Sequence, residues 1–182
     1  MSLLVSAILS PVVEVKLTRS DDTVPGDEQN QLWARAQIAN NCDADCFVSI
    51  HCNPAAHGPE TYHYTGSSKG EKLAASIQKK LLETLGLTDR NVKEANFAVL
   101  RLTKCPAALT ELAFISNTVE EGYLKSLEIQ EKAARAIAEG ITDFLGLKIR
   151  AEHPVEIKVA GKVIEGIIIN DLTYAPVRAL AE

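Results

Sequence analysis

Three segments of the chain place apolar side chains at the spacing of an α-helix. The segment "SKGEKLAASIQKKLLETLG" carries four large aliphatic side chains on one helical stripe: Leu73, Ile77, Leu81 and Leu85. It ends at Gly86, the residue type that most often closes a helix. The segment "NQLWARAQIANN" repeats the spacing at Leu32, Ala36 and Ala39. A third region opens at "SNTVEEGYLKS" and runs through "EIQEKAARAIAEGITDFLG". These patterns predict three helices.

Between these helices lie short segments with the pattern of β-strands. "VEVKLTR" (13–19) and "ETYHYT" (60–65) alternate apolar and polar residues, and "FAVLR" (97–101) and "AALTELAFI" (107–115) are rich in strand-forming residues. "CFVSIH" (46–51) is apolar on both faces, as is typical of a strand in the middle of a parallel sheet. We therefore predict an α/β fold with a mixed, largely parallel sheet sandwiched by helices, where ligands bind at the carboxyl ends of strands.

This rule draws attention to two residues. His51 ends the most apolar strand, and Glu111 lies within or near the end of another. Imidazole and carboxylate are ligands suited to Zn²⁺, and a catalytic zinc site needs three protein ligands and a water. Taken alone, His51 is equally consistent with a hydrogen-bonded histidine at a strand end, and Glu111 with a paired carboxylate in a half-buried strand.

Composition narrows the class of protein. With 182 residues, 46% of them hydrophobic, the chain can bury one good core, and its net charge of −5 offers no basic surface for nucleic acid. No apolar run reaches the roughly 18 residues of a membrane span, and the first residues lack the pattern of a signal peptide. The four cysteines show neither a CxxC pair nor disulfide-framework spacing, so we expect reduced thiols.

Several short motifs follow one another along the chain, and together they are specific enough to indicate a protein family. They are "SIHCN" (49–53), "ETYHY" (60–64), "DRNVK" (89–93), "VLR" (99–101) and "ELAFISN" (111–117). In this order and spacing they resemble the zinc-dependent N-acetylmuramoyl-L-alanine amidases of the third amidase family, which are bacterial cell-wall hydrolases and phage endolysins. The resemblance covers roughly residues 3–147 and implies a mixed sheet between helices.

The resemblance also implies roles for individual residues. His51 matches a zinc ligand, and Glu111 matches the catalytic carboxylate that takes a proton from the zinc-bound water and passes it to the leaving amine of L-alanine. Zinc would lower the pKa of that water to ~7 and polarise the scissile carbonyl. Asn53, Glu60 and Arg101 are expected to line or brace the substrate cleft.

Part of the family pattern is missing. The family's first strand, its Gly-His-Gly turn and a glutamate at the start of the first helix have no counterpart, because "SLLVSAILS" is similar to the body of that helix. His57, His63 and His153 are not expected to replace these ligands. We therefore expect weak zinc binding. A truncated chain, a degenerate amidase that binds cell wall without cutting it, and ligands from a partner chain all remain open.

The tail differs in character. After residue 147 a linker leads to "IKVAGKVIEGIIINDLTYAPVRALAE", which predicts two strands, a turn and the start of a helix. It is similar to the opening of the copper-amine-oxidase-type N-terminal repeat, with no copper implied, and a plain β-hairpin packed on the main domain is the alternative. We predict an amidase-like domain over 1–147 and a linker with a partial β-rich module over 148–182.

Two functions remain open at this point: a zinc amidase that cleaves the bond between N-acetylmuramic acid and L-alanine, and a noncatalytic peptidoglycan-binding module. Peptidoglycan is the expected partner and the cell wall or a phage-released state the expected location. Because the family's first strand belongs to the interior of its sheet, an open edge is predicted, filled either by the tail or by a second copy in a domain-swapped homodimer.

Overall fold

The computed structural model describes residues 1–23, 25–26, 30–53, 57–114, 121–122, 125–149, 153–159, 162–169 and 172–174. The helices are α1 (Ser2–Leu9), α2 (Gln31–Asn41), α3 (Ser68–Leu85), α4 (Ala98–Leu102) and α5 (Leu127–Leu145). The strands are β1 (Phe47–Asn53), β2 (Glu60–His63), β3 (Val92–Glu94), β4 (Ala107–Phe114), β5 (His153–Val159), β6 (Lys162–Ile169) and β7 (Leu172–Tyr174).

Strands β1 to β4 form a four-stranded mixed sheet in the order β1-β4-β2-β3. β1 runs parallel to β4, β2 runs antiparallel to β4, and β3 runs parallel to β2. The carboxyl ends of β1 and β4 therefore lie at the same end of the sheet as the amino ends of β2 and β3. The predicted α/β fold class is confirmed, and this end of the sheet is where its ligand site is expected.

Two hydrophobic clusters cover the two faces of this sheet. The larger one joins α1, α3 and α5 to β4, where Ala108 and Leu112 face it. The smaller one joins α2 and α4 to the opposite face through Phe47, Ala107 and Leu109. Since side chains alternate along a strand, odd-numbered positions of β4 face the α2 and α4 side.

The two long helices carry their own termination signals. The hydroxyls of Ser67 and Ser126 accept hydrogen bonds from the backbone N–H groups three residues on, as N-caps do. Gly86 and Gly146 close α3 and α5 with φ of 62° and 71°. The predicted helix of residues 68–85 is confirmed, and three of its four stripe residues are fully buried.

Several element predictions were wrong. Residues 97–101, predicted as a strand, form the N-cap and body of α4, because adjacent Val99 and Leu100 both pack inward on one helical turn. Residues 13–19 contain no assigned strand, although Val13 and Val15 pack on the larger cluster. The apolar segment 46–51 was predicted to lie in the middle of the sheet, but among the described strands β1 is at the edge. Leu32 is 47% exposed instead of facing the core.

The tail forms a second sheet. β5 and β6 pair as the predicted antiparallel hairpin, and β7 adds a third antiparallel strand where the start of a helix was expected. The rest of that predicted helix lies outside the described residues. Because β5 to β7 pair with one another, the idea that the tail of the same chain fills an edge of the main sheet was wrong for the described strands. The domain-swapped dimer stays a prediction.

Candidate active site

Three polar side chains form a row across neighbouring strands, at the end of the main sheet where a ligand site is expected. His51 of β1 is the register partner of Glu111 of β4, and Glu111 is in turn the register partner of Glu60 of β2. Register partners project from the same face of a sheet with Cβ atoms about 4.5–5.5 Å apart. The structure therefore brings together the three side chains, which the sequence separates by up to 60 residues.

His51 is the exposed member of this row. Its Nε2 lies 2.9 Å from the hydroxyl of Ser49, two positions back on the same strand face. Partial desolvation lowers the pKa of its imidazole, and the positive charges of Arg35 and Arg19 lower it further. His51 is therefore held neutral near pH 7, the form in which a histidine binds a metal or accepts a hydrogen bond.

Glu111 is buried, with 6% of its surface exposed. Desolvation, reinforced by the negative charge of Glu60, raises the pKa of its carboxyl from the ordinary 4.5 to about 7. A carboxyl that titrates near neutral pH can both accept and donate a proton under physiological conditions, which is the property required of a general acid–base catalyst.

Glu60 is equally buried but has cationic partners. Its Oε2 accepts hydrogen bonds from Arg90 Nε at 3.0 Å and from Lys93 Nζ, and its Oε1 accepts one from the Tyr62 hydroxyl at 2.7 Å. Burial by itself opposes ionisation of Glu60, but the hydrogen bonds from Lys93, Tyr62 and Arg90 outweigh it and lower the pKa. Glu60 is thus an ionised carboxylate beside a carboxyl that is half protonated near pH 7.

The other predicted site residues are not part of this row. Asn53 ends β1, and its side chain lies outside the described ones. Arg101 is in α4, in the connection from the carboxyl end of β3 to the amino end of β4, which is the opposite end of the sheet. Its guanidinium donates to the Asn96 side chain at 2.7 Å. The substrate-binding roles of Asn53, Glu60 and Arg101 stay predictions.

Sequence reasoning missed the partners of Glu60. Arg90 and Lys93 lie 30 and 33 residues further along the chain, and their ion pairs form because β3 is placed beside β2. The motif "DRNVK" was recognised for its position and not for any role. A charged motif at the start of a predicted strand, next to a glutamate that opens another strand, is the signal that could have suggested these ion pairs.

A metal site requires more donors than this row offers. Within the part of the chain that the structure describes, no group of three or more His, Cys, Asp or Glu side chains is placed to hold a metal ion. The predicted zinc ligand His51 and the predicted catalytic carboxylate Glu111 are two groups, one fewer than the three protein ligands of a catalytic zinc site. The described residues therefore do not fit a complete zinc site of three protein ligands.

The sequence matches the profile of one protein family, N-acetylmuramoyl-L-alanine amidase, over residues 1–143. The chain belongs to this amidase family, because the match covers more than half of its length. Structural similarity agrees: the catalytic domain of CwlV, an N-acetylmuramoyl-L-alanine amidase from Bacillus (Paenibacillus) polymyxa, is 40% identical with a TM-score of 0.73, covering 81% of this chain and 82% of that one.

The relatives of this chain include both bacterial and phage proteins. The N-acetylmuramoyl-L-alanine amidase LytC of Bacillus subtilis is 38% identical over 134 residues, which are 70% of this chain and 26% of LytC. The endolysin of Bacillus phage SPP1 is 40% identical over 144 residues, 75% of this chain and 51% of the endolysin. The chain thus spans about a quarter of LytC and about half of the endolysin. None of the helices in the described ranges is long and apolar enough to cross a membrane.

Proposed function

We propose that this chain is a peptidoglycan hydrolase module that cleaves the amide bond between N-acetylmuramic acid and the L-alanine of the stem peptide. The observation that carries the proposal is the buried Glu111, with a pKa raised to about 7, on the same sheet face as His51. Family membership supports the choice of bond, since named relatives are N-acetylmuramoyl-L-alanine amidases.

The chemistry assigned to this chain's own residues is proton transfer. Hydrolysis of an amide needs a base to remove a proton from the attacking water and an acid to protonate the departing amine. Glu111 can perform both steps in turn, because its two protonation states are nearly equal in free energy near pH 7. Glu60 remains ionised beside it and holds Arg90 and Lys93, so its proposed role is to brace the cleft.

Zinc enters the proposal through His51 alone. The resemblance to the zinc-dependent amidases assigns His51 to the metal, and the described residues supply no complete ligand set around it. We therefore propose weak zinc binding by this chain, and we assign no reaction step to the metal. The same observation favours the alternative function, a peptidoglycan-binding module that does not hydrolyse its substrate.

Dye release from labelled, purified peptidoglycan tests the activity, with zinc added in steps and zinc stoichiometry measured in parallel. The wild-type chain is expected to release dye and to generate new amino-terminal alanine, and Glu111→Gln to lower the rate by about 10²–10⁴. Glu83→Gln, on the exposed surface of α3, is the control and should not change the rate. Sedimentation of the chain with insoluble wall, without dye release at any zinc concentration, would establish the binding module.

A further inference from the structure

The one tryptophan of the chain lies on the surface, in the first turn of α2. Trp33 has 55% of its surface exposed, and its neighbour Leu32 has 47%. Tryptophan is a large side chain that is highly buried on average, and it is enriched where a protein contacts a partner or a ligand. Its exposure beside a second apolar side chain therefore indicates a contact surface.

The first turn of α2 reaches the level of the row of site residues. The carboxyl-terminal end of α2 is fixed near the amino end of β4, because the Asn40 side chain donates to the Leu102 carbonyl at 2.9 Å and accepts from the Lys104 N–H at 2.8 Å. From there the 11 residues of α2 span about 16 Å. The step from Phe47 to His51 along β1 covers about 13 Å. The helix therefore begins close to the level of His51.

Trp33 lies on the flank of α2 that is turned towards β4. Two helical turns separate Trp33 from Asn40, so both side chains leave the helix in nearly the same direction, and Asn40 contacts the connection from α4 to β4. Arg35 is on the opposite flank, where its charge acts on His51. Since odd-numbered positions of β4 face α2 and α4, Trp33 is on the same side of the sheet as Glu111.

The proposed substrate carries different groups on the two sides of its scissile amide. L-alanine offers a single methyl group, whereas N-acetylmuramic acid offers a pyranose ring that a short lactyl ether joins to the amide carbonyl. The polarised C–H groups on the face of such a ring are attracted to the negative face of an aromatic ring. Packed layers lie about 10 Å apart, so a sugar ring whose amide is at Glu111 can reach the flank of α2.

The other end of the row is less suited to a sugar ring. Glu60 is bound there by Arg90 and Lys93. A ring that stacked over these ion pairs would remove water from charged groups, which costs free energy. A ring that stacks on Trp33 instead removes water from apolar surface, which is favourable. The sugar side of the substrate is therefore expected at α2.

On the basis of the proposed function, we propose that Trp33 is a sugar-binding residue whose indole stacks on the pyranose ring of N-acetylmuramic acid while the scissile amide lies at Glu111. The glycan strand then runs along the first turn of α2, and the stem peptide leaves the row on the side of β2. The chain accordingly binds peptide-free glycan, with Trp33 supplying a large part of the affinity.

The fluorescence of Trp33 tests this contact directly, because the chain has no second tryptophan. The first probe is a peptide-free tetrasaccharide of alternating N-acetylglucosamine and N-acetylmuramic acid, added to the full chain in metal-free buffer. It is expected to shift the emission to shorter wavelength in a saturable way, since the stacked indole loses water. The second probe, a tripeptide that begins with L-alanine and lacks the sugar, is expected to leave the emission unchanged.

Variants separate an aromatic contact from a merely apolar one, with calorimetric titration of the tetrasaccharide as the measurement. Trp33→Ala and Trp33→Leu should each weaken binding about tenfold, because leucine restores apolar surface but no aromatic face, while Trp33→Phe should retain most of the affinity. Leu3→Ala is the matched control. Leu3 is 58% exposed on α1, which packs on the other face of the sheet, so this change should leave the affinity as it is.

An unchanged emission with the tetrasaccharide would overturn the proposal. A response to the tripeptide in place of the sugar, or equal affinities of Trp33→Leu and the wild-type chain, would do the same. The dye-release assay is scored separately. A saturable response to the sugar without dye release would support the sugar contact and contradict the proposed activity, whereas dye release without a response to the sugar would support the activity and contradict the contact.

Discussion

Two buried glutamates at neighbouring register positions respond to the fold in opposite ways. Glu60 has three hydrogen-bond donors around its carboxylate, and its pKa is lowered, whereas the pKa of Glu111 is raised to about 7 by desolvation and by the charge of Glu60. Environments that move the pKa values of two nearby carboxyls apart are a feature of acid–base sites. The ionised Glu60 is part of what keeps a proton on Glu111.

This arrangement predicts that Glu111 lowers stability at neutral and higher pH. Its pKa is higher in the folded chain than the ordinary 4.5, so the folded state binds more protons, and stability falls as pH rises from about 4.5 to about 7. One pKa unit is worth about 1.4 kcal/mol, which gives a destabilisation of up to roughly 3 kcal/mol at pH 8. We expect Glu111→Gln to raise the urea midpoint at pH 8 and to have little effect at pH 4.5.

The measurement uses metal-free buffer with a chelator, so that no ion bound near His51 alters the titration. Glu83→Gln is the control, because Glu83 is an exposed residue paired with Lys79, and its effect should be small at every pH. A Glu111→Gln difference that is the same at pH 4.5 and pH 8 would show that the carboxyl is not desolvated as described.

For individual residues, the sequence predicted where site residues lie in the sheet better than it predicted the charges and hydrogen bonds around them. His51 and Glu111 could be placed together because both follow apolar strand segments and strand ends meet at one end of an α/β sheet. The ion pairs of Glu60 could not be predicted, because they depend on β3, a strand of three residues with too few positions to show an alternating pattern. The raised pKa of Glu111 in turn depends on Glu60 being ionised.

Among the elements, helices α3 and α5 approach each other so closely at Gly140 that a side chain there has no room. A Cβ at Gly140 of α5 would lie 2.6 Å from the Cα and 2.9 Å from the backbone nitrogen of Ile77 in α3. Backbone atoms cannot rotate away as a side-chain end can, so the helices would have to separate. We expect Gly140→Ala to destabilise the fold by about 1–3 kcal/mol, although alanine is the better helix former.

Thermal and urea unfolding measure this cost, and Gly122→Ala is the matched control. Gly122 is also helical, and a Cβ there would meet no atom within 4 Å among the described residues, so the substitution should be neutral or slightly stabilising. If Gly140→Ala were as stable as the control, the close approach of α3 and α5 would be incorrect.

Long helices with a repeated apolar pattern were predicted correctly, whereas a short helix was not. α3 and α5 have 18 and 19 residues, and their apolar stripes and capping residues repeat the same signal several times. α4 has five residues, and its composition of Val and Leu next to Phe97 suits a strand equally well. Packing of Val99 and Leu100 against β4 decides in favour of the helix, which is information that no local window of sequence contains.

For the molecule as a whole, the order of strands determines which functional groups meet. β4 lies between β1 and β2, so Glu111 has His51 on one side and Glu60 on the other. The sequence predicted a mixed sheet but placed segment 46–51 at its centre. The apolar content of a segment indicates how deeply a strand is buried, but it does not indicate which strands lie beside it. The order of the motifs indicated the family, and the order of the strands brings His51, Glu111 and Glu60, which belong to three of those motifs, into one row.

The tail sheet provides the last prediction. The described ladder partners of β5, β6 and β7 are one another, so the main sheet does not depend on them for its backbone hydrogen bonds. A chain ending at residue 149 is therefore expected to keep its midpoint of thermal unfolding within about 3 °C and to sediment with insoluble peptidoglycan as the full chain does. Light scattering on both chains measures mass at the same time. If the full chain were a dimer and the shortened chain a destabilised monomer or an aggregate, the tail would be completing the main sheet of a second copy, and the domain-swapped arrangement would be the correct one.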